Sequence, residues 1–314
     1  MELFENSLFE RLLKATPFSS RELGTLILTA PFRYKDHYID KRNGRGRRLI
    51  SQPTKEVKYL QRIVISDVLA DLPIHNAAMA YRQGRSIADH AKPHAANRYL
   101  LKLDFKDFFP SITAAAISHR LKLDKDYSDE ERWILSRILC REDKVTNQLH
   151  LSIGAPSSPF ISNYILHELD EQIARVCQEN QVIYTRYADD LALSSSMPKI
   201  LNDMQKVIED LLLKFSYLNL RLNTEKTVNV SKKNKRTLVG LTLANDGATS
   251  IGRDVKRLLK AQMHRAWLGN LSPPELSTLK GKLAFTLSID SNFVQSLCGK
   301  YGFTKVSDIK FKPT

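Results

Sequence analysis

Apolar positions along the chain alternate between a helical period and a two-residue period, and the switches mark out the elements. Leu3, Phe4, Leu8 and Leu12 share one face of a predicted amphipathic helix over 3–15. Ser19-Ser20-Arg21-Glu22 has the spacing of a capping box and opens a second helix that ends before Pro31. Residues 34–50 read as a hairpin, with Asn43-Gly44 supplying the left-handed turn. Val57, Leu60, Ile63, Val64 and Val68 form the buried side of a helix over 56–72. Tyr99-Leu100-Leu101-Lys102-Leu103 is a strand, and a helix starts at Ser111-Ile112-Thr113. Ser158 as N-cap and Pro159 in the first turn begin a long helix with the stripe Ile161, Ile165, Leu169, Ile173 and Val176, stopping at Asn180. Val182-Ile183-Tyr184-Thr185 and Leu191-Ala192-Leu193 are the arms of another hairpin, and 198–218 is a further amphipathic helix. Strand and helix alternate through 99–243, which predicts an α+β fold of antiparallel strands backed by helices. In 253–269, Val255, Leu258, Leu259, Met263, Ala266 and Trp267 recur at helical spacing. Lys256, Lys260 and His264 line the other side, flanked by Arg253, Arg257 and Arg265.

The second hairpin carries candidate chemistry. Its turn, Tyr187-Ala188-Asp189-Asp190, holds two adjacent carboxylates, and Asp104 closes the strand that begins at Tyr99. Adjacent carboxylates raise one another's pKa unless a cation lies between them. Hard oxygen ligands that close suit Mg²⁺, which completes its octahedron with water and substrate phosphates. A strand-end Asp plus a hairpin Asp pair matches a two-metal phosphoryl-transfer site. The bland alternatives are a solvated turn for the pair and a helix cap for Asp104.

Charge sharpens the picture. The chain has 314 residues and a formal net charge of +14, a balance that favours a polyanionic partner. No apolar run approaches the roughly 20 residues of a spanning helix, and Met1-Glu2-Leu3-Phe4-Glu5 is unlike a signal peptide. Cys140, Cys177 and Cys298 are odd in number and far apart, so neither a disulfide framework nor a zinc site is expected, and the expected compartment is cytoplasmic. Lys41, Arg42, Arg45, Arg47 and Arg48 crowd one hairpin, where five cations could clamp a triphosphate or simply face solvent. Tyr81-Arg82-Gln83-Gly84-Arg85-Ser86 is a basic loop that fits phosphate tracking or an ordinary surface. Lys232-Lys233-Asn234-Lys235-Arg236 adds a cluster ahead of the basic helical face, and phosphate contacts from such groups would weaken with salt.

With these motifs in order, the chain resembles reverse transcriptases over most of its length. The resemblance is carried by Leu-Asp-Phe-Lys-Asp-Phe-Phe-Pro-Ser-Ile (103–112), Ser-Ile-Gly-Ala-Pro-Ser-Ser-Pro-Phe-Ile-Ser-Asn (152–163), Tyr-Thr-Arg-Tyr-Ala-Asp-Asp-Leu-Ala-Leu-Ser (184–194), Leu-Asn-Thr-Glu-Lys-Thr (222–227) and Leu-Val-Gly-Leu-Thr-Leu (238–243). Within that group the segments 41–53, 72–87 and 90–105 look most like bacterial retron reverse transcriptases. The resemblance implies a right-hand polymerase: N-terminal helices and fingers over 1–98, a palm over 99–243 with a finger insertion around 113–160, and an RNA-binding helical thumb over 244–314. It implies that Asp104, Asp189 and Asp190, with the Phe105 carbonyl, hold two Mg²⁺ ions, and that Lys226 neutralises or protonates the leaving group. A merely exposed turn lysine is the alternative for Lys226.

The same resemblance matches Arg47 to a nucleotide-stacking arginine, Lys41 more loosely to a triphosphate lysine, and Phe109 to a sugar gate that excludes a ribose 2′-OH. Core packing is the rival for Phe109, and alternation makes Phe108 the better core residue. Gly154 and Ala155 would let backbone approach the new base pair, with Ile153 where many relatives have Gln. Two retron-associated signatures are altered: His90-Ala91-Lys92-Pro93-His94 keeps Ala91 and His94, and Leu238-Val239-Gly240 keeps Gly240, a position tied to binding the cognate RNA. Arg253, Lys256, Arg257, Lys260 and His264 are the expected RNA-gripping face. The implied partners are a structured noncoding RNA serving as template and primer, its branched DNA product (msDNA, begun from an internal 2′-OH), dNTPs, and an effector protein in antiphage defence. No RNase H, integrase or nuclease is expected after residue 250. Another bacterial reverse transcriptase, group II intron-like or abortive-infection type, and a non-catalytic RNA scaffold are the competing readings.

Overall fold

The structure is a computed structural model and describes residues 7–40, 44, 46–124 and 127–310. Leu3 and Phe4 of the first predicted helix, and Lys41, Arg42, Asn43 and Arg45 of the first hairpin tip, lie outside the described residues. The first helix, α1 (Ser7–Ala15), buries Leu8 and Leu12 as the periodicity predicts. The capping box at the head of α2 (Ser20–Thr29) is complete, with the Ser19 N–H donating to Glu22 Oε2 at 2.8 Å. Strands β1 (Tyr34–Asp40) and β2 (Arg47–Pro53) pair antiparallel. Helix α3 (Lys55–Ile63) runs on into a wider π-turn over Val64–Val68, so the predicted apolar face is continuous while the helix type changes.

Helix α4 (Ile87–Ala95) has no counterpart in the sequence-based pattern, because Pro93 lies inside it and alanines and histidines replace the usual large apolar stripe. Strand β3 (Tyr99–Asp104) is followed by the short α5 (Phe108–Ser111), which puts Phe108 in the core through a helical turn rather than strand alternation. Then come α6 (Ala114–Asp124), α7 (Asp129–Leu139) and the small strands β4 (Arg141–Glu142) and β5 (Leu149–His150). The long helix expected after Ser158 is two helices, α8 (Ser158–Ile165) and α9 (His167–Glu179), separated at Leu166. Ser157, not Ser158, occupies the N-cap position, and Ser158 Oγ instead accepts the Ser152 N–H at 3.3 Å. Asn180 ends α9 as expected.

Strands β6 (Ile183–Tyr187) and β7 (Asp190–Ser195) form the second hairpin, followed by α10 (Ile200–Lys214) and β8 (Val228–Ser231). The central sheet has the order β6-β7-β3-β8, with its pairs antiparallel. This is the expected α+β architecture. Beyond it, β9 (Arg236–Leu238), β10 (Leu241–Leu243) and β11 (Thr249–Ser250) make a small sheet, and α11 (Arg253–Trp267), α12 (Pro273–Leu287) and α13 (Ser291–Lys300) pack as a helical unit. Two apolar clusters result. One joins α1–α3 to α6–α10 under the central sheet, and the other joins α11–α13 to α4 and the small sheet. Among the described residues no helix is long and apolar enough to cross a membrane.

Helix α4 packs on β6 and β7 through two buried histidines. His94 bonds Ser194 Oγ through Nδ1 and Thr185 Oγ1 through Nε2, each at 2.8 Å, and His90 Nδ1 reaches the same Thr185 hydroxyl at 2.7 Å. Three of the four ring nitrogens are bonded to strand hydroxyls and only His90 Nε2 is left over, so the pair is structural rather than a metal site. Burial holds His90 down to about 4; burial and the neighbouring His90 hold His94 down to about 3. Both rings are neutral in the native state, whereas an unfolded histidine takes up a proton below about pH 6.5. The stability they confer is therefore complete above that pH and is lost as pH falls toward 4, by roughly 2 kcal/mol per ring at pH 5. Thermal unfolding should show a midpoint that is flat from pH 7 to 8 and falls between pH 6.5 and 5; a midpoint level down to pH 5 would contradict neutral burial.

Candidate active site

Asp104 ends β3 and Asp190 opens β7, and the ladder sets them directly opposite one another. Asp189 precedes Asp190 in the turn, and its carbonyl accepts the Phe105 N–H at 3.1 Å. Three carboxylates thus meet at one end of the central sheet. The turn holds only Ala188 and Asp189 between the paired residues Tyr187 and Asp190, and Ala188 takes φ 57°. Positive φ at the first position suits a two-residue hairpin, at a cost of roughly 1 kcal/mol for a residue with a Cβ.

The electrostatics follow from that crowding. Asp104 is buried, at 6 % exposure. Burial, then the charges of Asp189 and Asp104, raise the Asp190 carboxyl to about 6, although its outer edge faces solvent. Asp189 is raised as well, first by burial and then by Asp104. Lys226 answers part of this repulsion: its Nζ donates to both carboxylate oxygens of Asp104 at 2.8 Å, while its side chain stays 53 % exposed. The short helical turn Thr224–Lys226 that carries it is anchored by the Asn223 N–H, which donates to the Asp104 carbonyl at 2.7 Å. Repelling hard oxygens that draw an ammonium onto themselves have the donor chemistry of a hard divalent cation. Among the described residues no three His, Cys, Asp or Glu side chains close into a ready cage. Mg²⁺ needs none, since it leaves several positions to water and phosphate oxygens.

Beneath the turn lies a feature that sequence reasoning missed. Arg186, fully buried, makes a two-pronged ion pair with Asp170 of α9, with Nε to Oδ1 at 2.9 Å and Nη2 to Oδ2 at 2.6 Å. Its Nη1 donates to Asn163 Oδ1 of α8 at 3.1 Å and to the Ala188 carbonyl at 3.0 Å. Tyr184, its phenol pushed far up by burial and by Asp170, keeps its proton and donates to Asp170 Oδ1 at 2.7 Å. Arg186 also pairs through its backbone with the segment Ala77–Met79, donating to the Ala77 carbonyl and accepting from Met79, each at 2.8 Å. The side-chain signal was an arginine inside an otherwise apolar strand, which demands a buried counter-charge.

A reverse transcriptase (RNA-dependent DNA polymerase) family model matches residues 39–243. The chain is 37 % identical over 280 residues to the Retron Ec83 reverse transcriptase of Escherichia coli, covering 88 % of this chain and 89 % of that one. It belongs to the retron reverse transcriptase family. The Retron Ec86 reverse transcriptase of the same organism is 32 % identical over 95 % of this chain and 91 % of its own. A telomerase from Candida albicans, solved with a fragment of telomeric RNA, shares the fold at a TM-score of 0.51 and 14 % identity, over 85 % of this chain and 56 % of that one. The protein is accordingly an RNA-directed DNA polymerase.

Other expected site residues of this reverse transcriptase fall around the three carboxylates and beyond them. Arg47 is exposed at the start of β2, in a loose 3.7 Å pair with Asp40, whereas Arg48 is the arginine whose charge reaches Asp189. Alternation along β2 explains this, because Arg48 shares its face with Ile50 and Gln52. Those two side chains and the Ser51 carbonyl lie 3.0–3.3 Å from where a Gly154 Cβ would stand. The close approach that Gly154 permits, at φ 117°, is therefore made by β2, and Ala155 is buried beside it. Phe109 is half-buried, with its ring 5.2 Å from Phe108. Lys41 lies outside the described residues. On α11, Arg253, Arg257, Lys260 and His264 are all exposed, at steps of four, three and four residues along one face. Lys256 points elsewhere, pairing with Asp290 at 2.6 Å and lying over the Phe293 ring at 4.9 Å. Gly240, at φ 85°, shares the β9–β10 turn with Val239 at φ 43°.

Removing one partner of the buried pair should be costly. Asp170→Asn leaves Arg186 charged and uncompensated, and unfolding in urea should show a loss of roughly 3–5 kcal/mol. The joint replacement Asp170→Leu with Arg186→Met should lose less than either single change, and additive losses would show that the two groups do not act as one unit.

Proposed function

We propose that this enzyme copies a dedicated structured noncoding RNA into DNA at Asp104, Asp189 and Asp190, beginning from an internal 2′-OH of that RNA and so yielding branched msDNA. The observation that carries the reading is the meeting of Asp104 with the hairpin pair, and with Lys226, in a chain related along most of its length to retron reverse transcriptases. Asp104, Asp189 and Asp190, with the Phe105 carbonyl, are the groups that would hold two Mg²⁺. Bound there, the ions would make the attacking hydroxyl a better nucleophile and neutralise charge on the leaving pyrophosphate.

The chain's own groups do the rest. Lys226, half exposed and within 2.8 Å of Asp104, can move its ammonium toward departing phosphate oxygens once a cation takes over the carboxylate. Arg48, from the fingers strand, adds positive charge on the Asp189 side of the groove. Phe109 stands five residues past Asp104, where its ring would meet a ribose 2′-OH. Arg253, Arg257, Lys260 and His264 form a basic rail for the RNA, and the β9–β10 turn at Gly240 lies in the same apolar unit as α11. Contacts of this kind hold duplex RNA by shape and backbone, and they weaken with salt. The RNA–DNA product would act with an effector protein in antiphage defence.

Asp189→Asn and Asp190→Asn should each cut nucleotide incorporation on an RNA template by at least about a hundredfold, the upper range for disturbing a metal site even from outside it. Retained synthesis in either variant would move the reaction elsewhere.

Nucleic acid copurifying with the protein from its native host should be one short DNA joined 2′,5′ to a defined RNA, sensitive to debranching enzyme. Unbranched DNA or mixed RNA would remove the retron-type product and leave template copying.

A further inference from the structure

The loop before α4 departs from ordinary loop behaviour at one residue. Ala77, Ala78, Met79 and Ala80 are buried in succession, and then Tyr81 emerges with half of its surface exposed (50 %). Its backbone takes φ 60°, a conformation uncommon for any residue with a side chain and an outlier for a bulky one. Such strain persists only where the surroundings over-determine it. Here they do. The Ala78 peptide bridges to Arg186, Asn163 Nδ2 donates to the Ala80 carbonyl at 2.9 Å, and Arg82 Nη1 donates back to the His75 carbonyl at 3.1 Å. Arg82 is thereby spent on bracing the loop rather than on tracking phosphates.

The strain aims the ring. Its centroid lies 6.5 Å from that of Phe109, at an interplanar angle of 43°. Burial, then Asp189 and Tyr187, raise its phenol while Arg48 opposes them, so Tyr81 lies within electrostatic reach of both the carboxylate turn and Arg48 of β2. An exposed aromatic in that position has a face to offer, with Phe109 its one ring neighbour among the described residues.

We infer that Tyr81 is a specificity-determining residue of the nucleotide pocket, its ring forming with Phe109 the two-sided wall against which the sugar and base of the incoming deoxynucleoside triphosphate pack. The inference rests on the reading of Asp104, Asp189 and Asp190 as the polymerisation site. A base or sugar face stacked on an aromatic ring gains enough to change affinity by about tenfold or more. Two rings set at an angle leave a wedge whose width discriminates a 2′-hydrogen from a 2′-hydroxyl more sharply than one ring could.

The test is single-nucleotide extension by the full-length protein on an RNA template annealed to a DNA primer, with KM and kcat measured for a dNTP and for its matching ribonucleotide. Tyr81→Leu and Tyr81→Gly should raise the dNTP KM by about tenfold and lower the deoxy-to-ribo selectivity ratio by a similar factor. Tyr81→Phe keeps the ring and should keep the ratio, and Phe109→Ala should lower the ratio through the opposite wall. Tyr81→Gly also relieves the left-handed strain, so its Tm should be no lower than that of the unaltered protein, which separates pocket loss from misfolding. An unchanged KM and ratio in Tyr81→Gly, or a loss confined to template–primer affinity, would overturn the assignment. Asp190→Asn run alongside distinguishes the levels: extension surviving there removes the site itself, whereas its loss beside an unaffected Tyr81→Gly removes the Tyr81 inference alone.

Discussion

Three carboxylates at one end of a sheet repel one another, and much of the neighbouring structure is arranged to hold them there. The β3–β7 register fixes Asp104 against Asp190, because slipping by one residue would exchange the face of β7 carrying Leu191 and Leu193 with the face carrying Ala192, and the two pack on different apolar clusters. Lys226 offsets one charge, while Asp190 is left raised to about 6, a carboxyl that gains from any cation brought to it. A chain that needed only stability would not gather these groups. The cost is intelligible if the site works as proposed, binding divalent ions and phosphates and releasing them each cycle.

The buried Arg186–Asp170 pair makes that arrangement rigid from below. It is a poor device for stability alone, since two desolvated charges gain little over apolar residues of equal volume. Its value is geometric: a planar, five-donor group can hold a helix carboxylate, a helix amide and the turn carbonyl at fixed angles. Asn163 and Asp170 belong to α8 and α9, and Ala188 belongs to the carboxylate turn. A displacement of α8 is therefore felt at the carboxylates through two hydrogen bonds. The Ile153–Gly154 segment makes the same connection toward β2, where the Ser51 N–H donates to the Ile153 carbonyl at 2.8 Å. Strand β2, α8 and the turn thus form one hydrogen-bonded unit around the carboxylates.

Much of this was legible in the sequence, and the failures have physical causes. Periodicity placed β3, β7 and α11, which commit apolar side chains to a core, but of the stripe expected on α11 only Leu259, Met263 and Ala266 are buried, while Val255, Leu258 and Trp267 are exposed. The three aspartates were legible because strand ends and a two-residue turn leave little freedom for where they stand. Helix α4 was hidden by its composition: its burial comes from alanines and from histidines bonded to Thr185 and Ser194 on strands about a hundred residues away. The break at Leu166 was hidden for the opposite reason, since the stripe from Ile161 to Ile173 continues across it. Arg48 was within reach, because counting back by twos from Ile50 puts it on the face of β2 that meets Gly154. The aim of Tyr81 was not, because it depends on a left-handed backbone angle that nothing in Ala-Tyr-Arg announces.

Left-handed residues around the groove share a logic. Tyr81, Asp107 and Ala188 all take positive φ without being glycine, at 60°, 46° and 57°. Each is followed or accompanied by a group presented to the same groove: the Tyr81 ring, Phe109 after Asp107, and Asp189 after Ala188. Each is also tied down, Asp107 by the Ser111 N–H and hydroxyl on its carbonyl at 2.9 and 3.0 Å, Ala188 by Arg186. Glycine would reach these angles with less strain but would widen the unfolded ensemble and loosen the chain on either side. A residue with a Cβ, once forced over, has few neighbouring conformations to escape to. Val239 is strained as well, but it rests against the apolar cluster of the C-terminal helices, and the strain there is offset by burial. Around the carboxylates the offset comes instead from hydrogen bonds, from Arg186 at Ala188, from Asn163 and the Ala78–Arg186 bridge at the Tyr81 loop, and from Ser111 at Asp107, so polar contacts fix where the carboxylates and rings point.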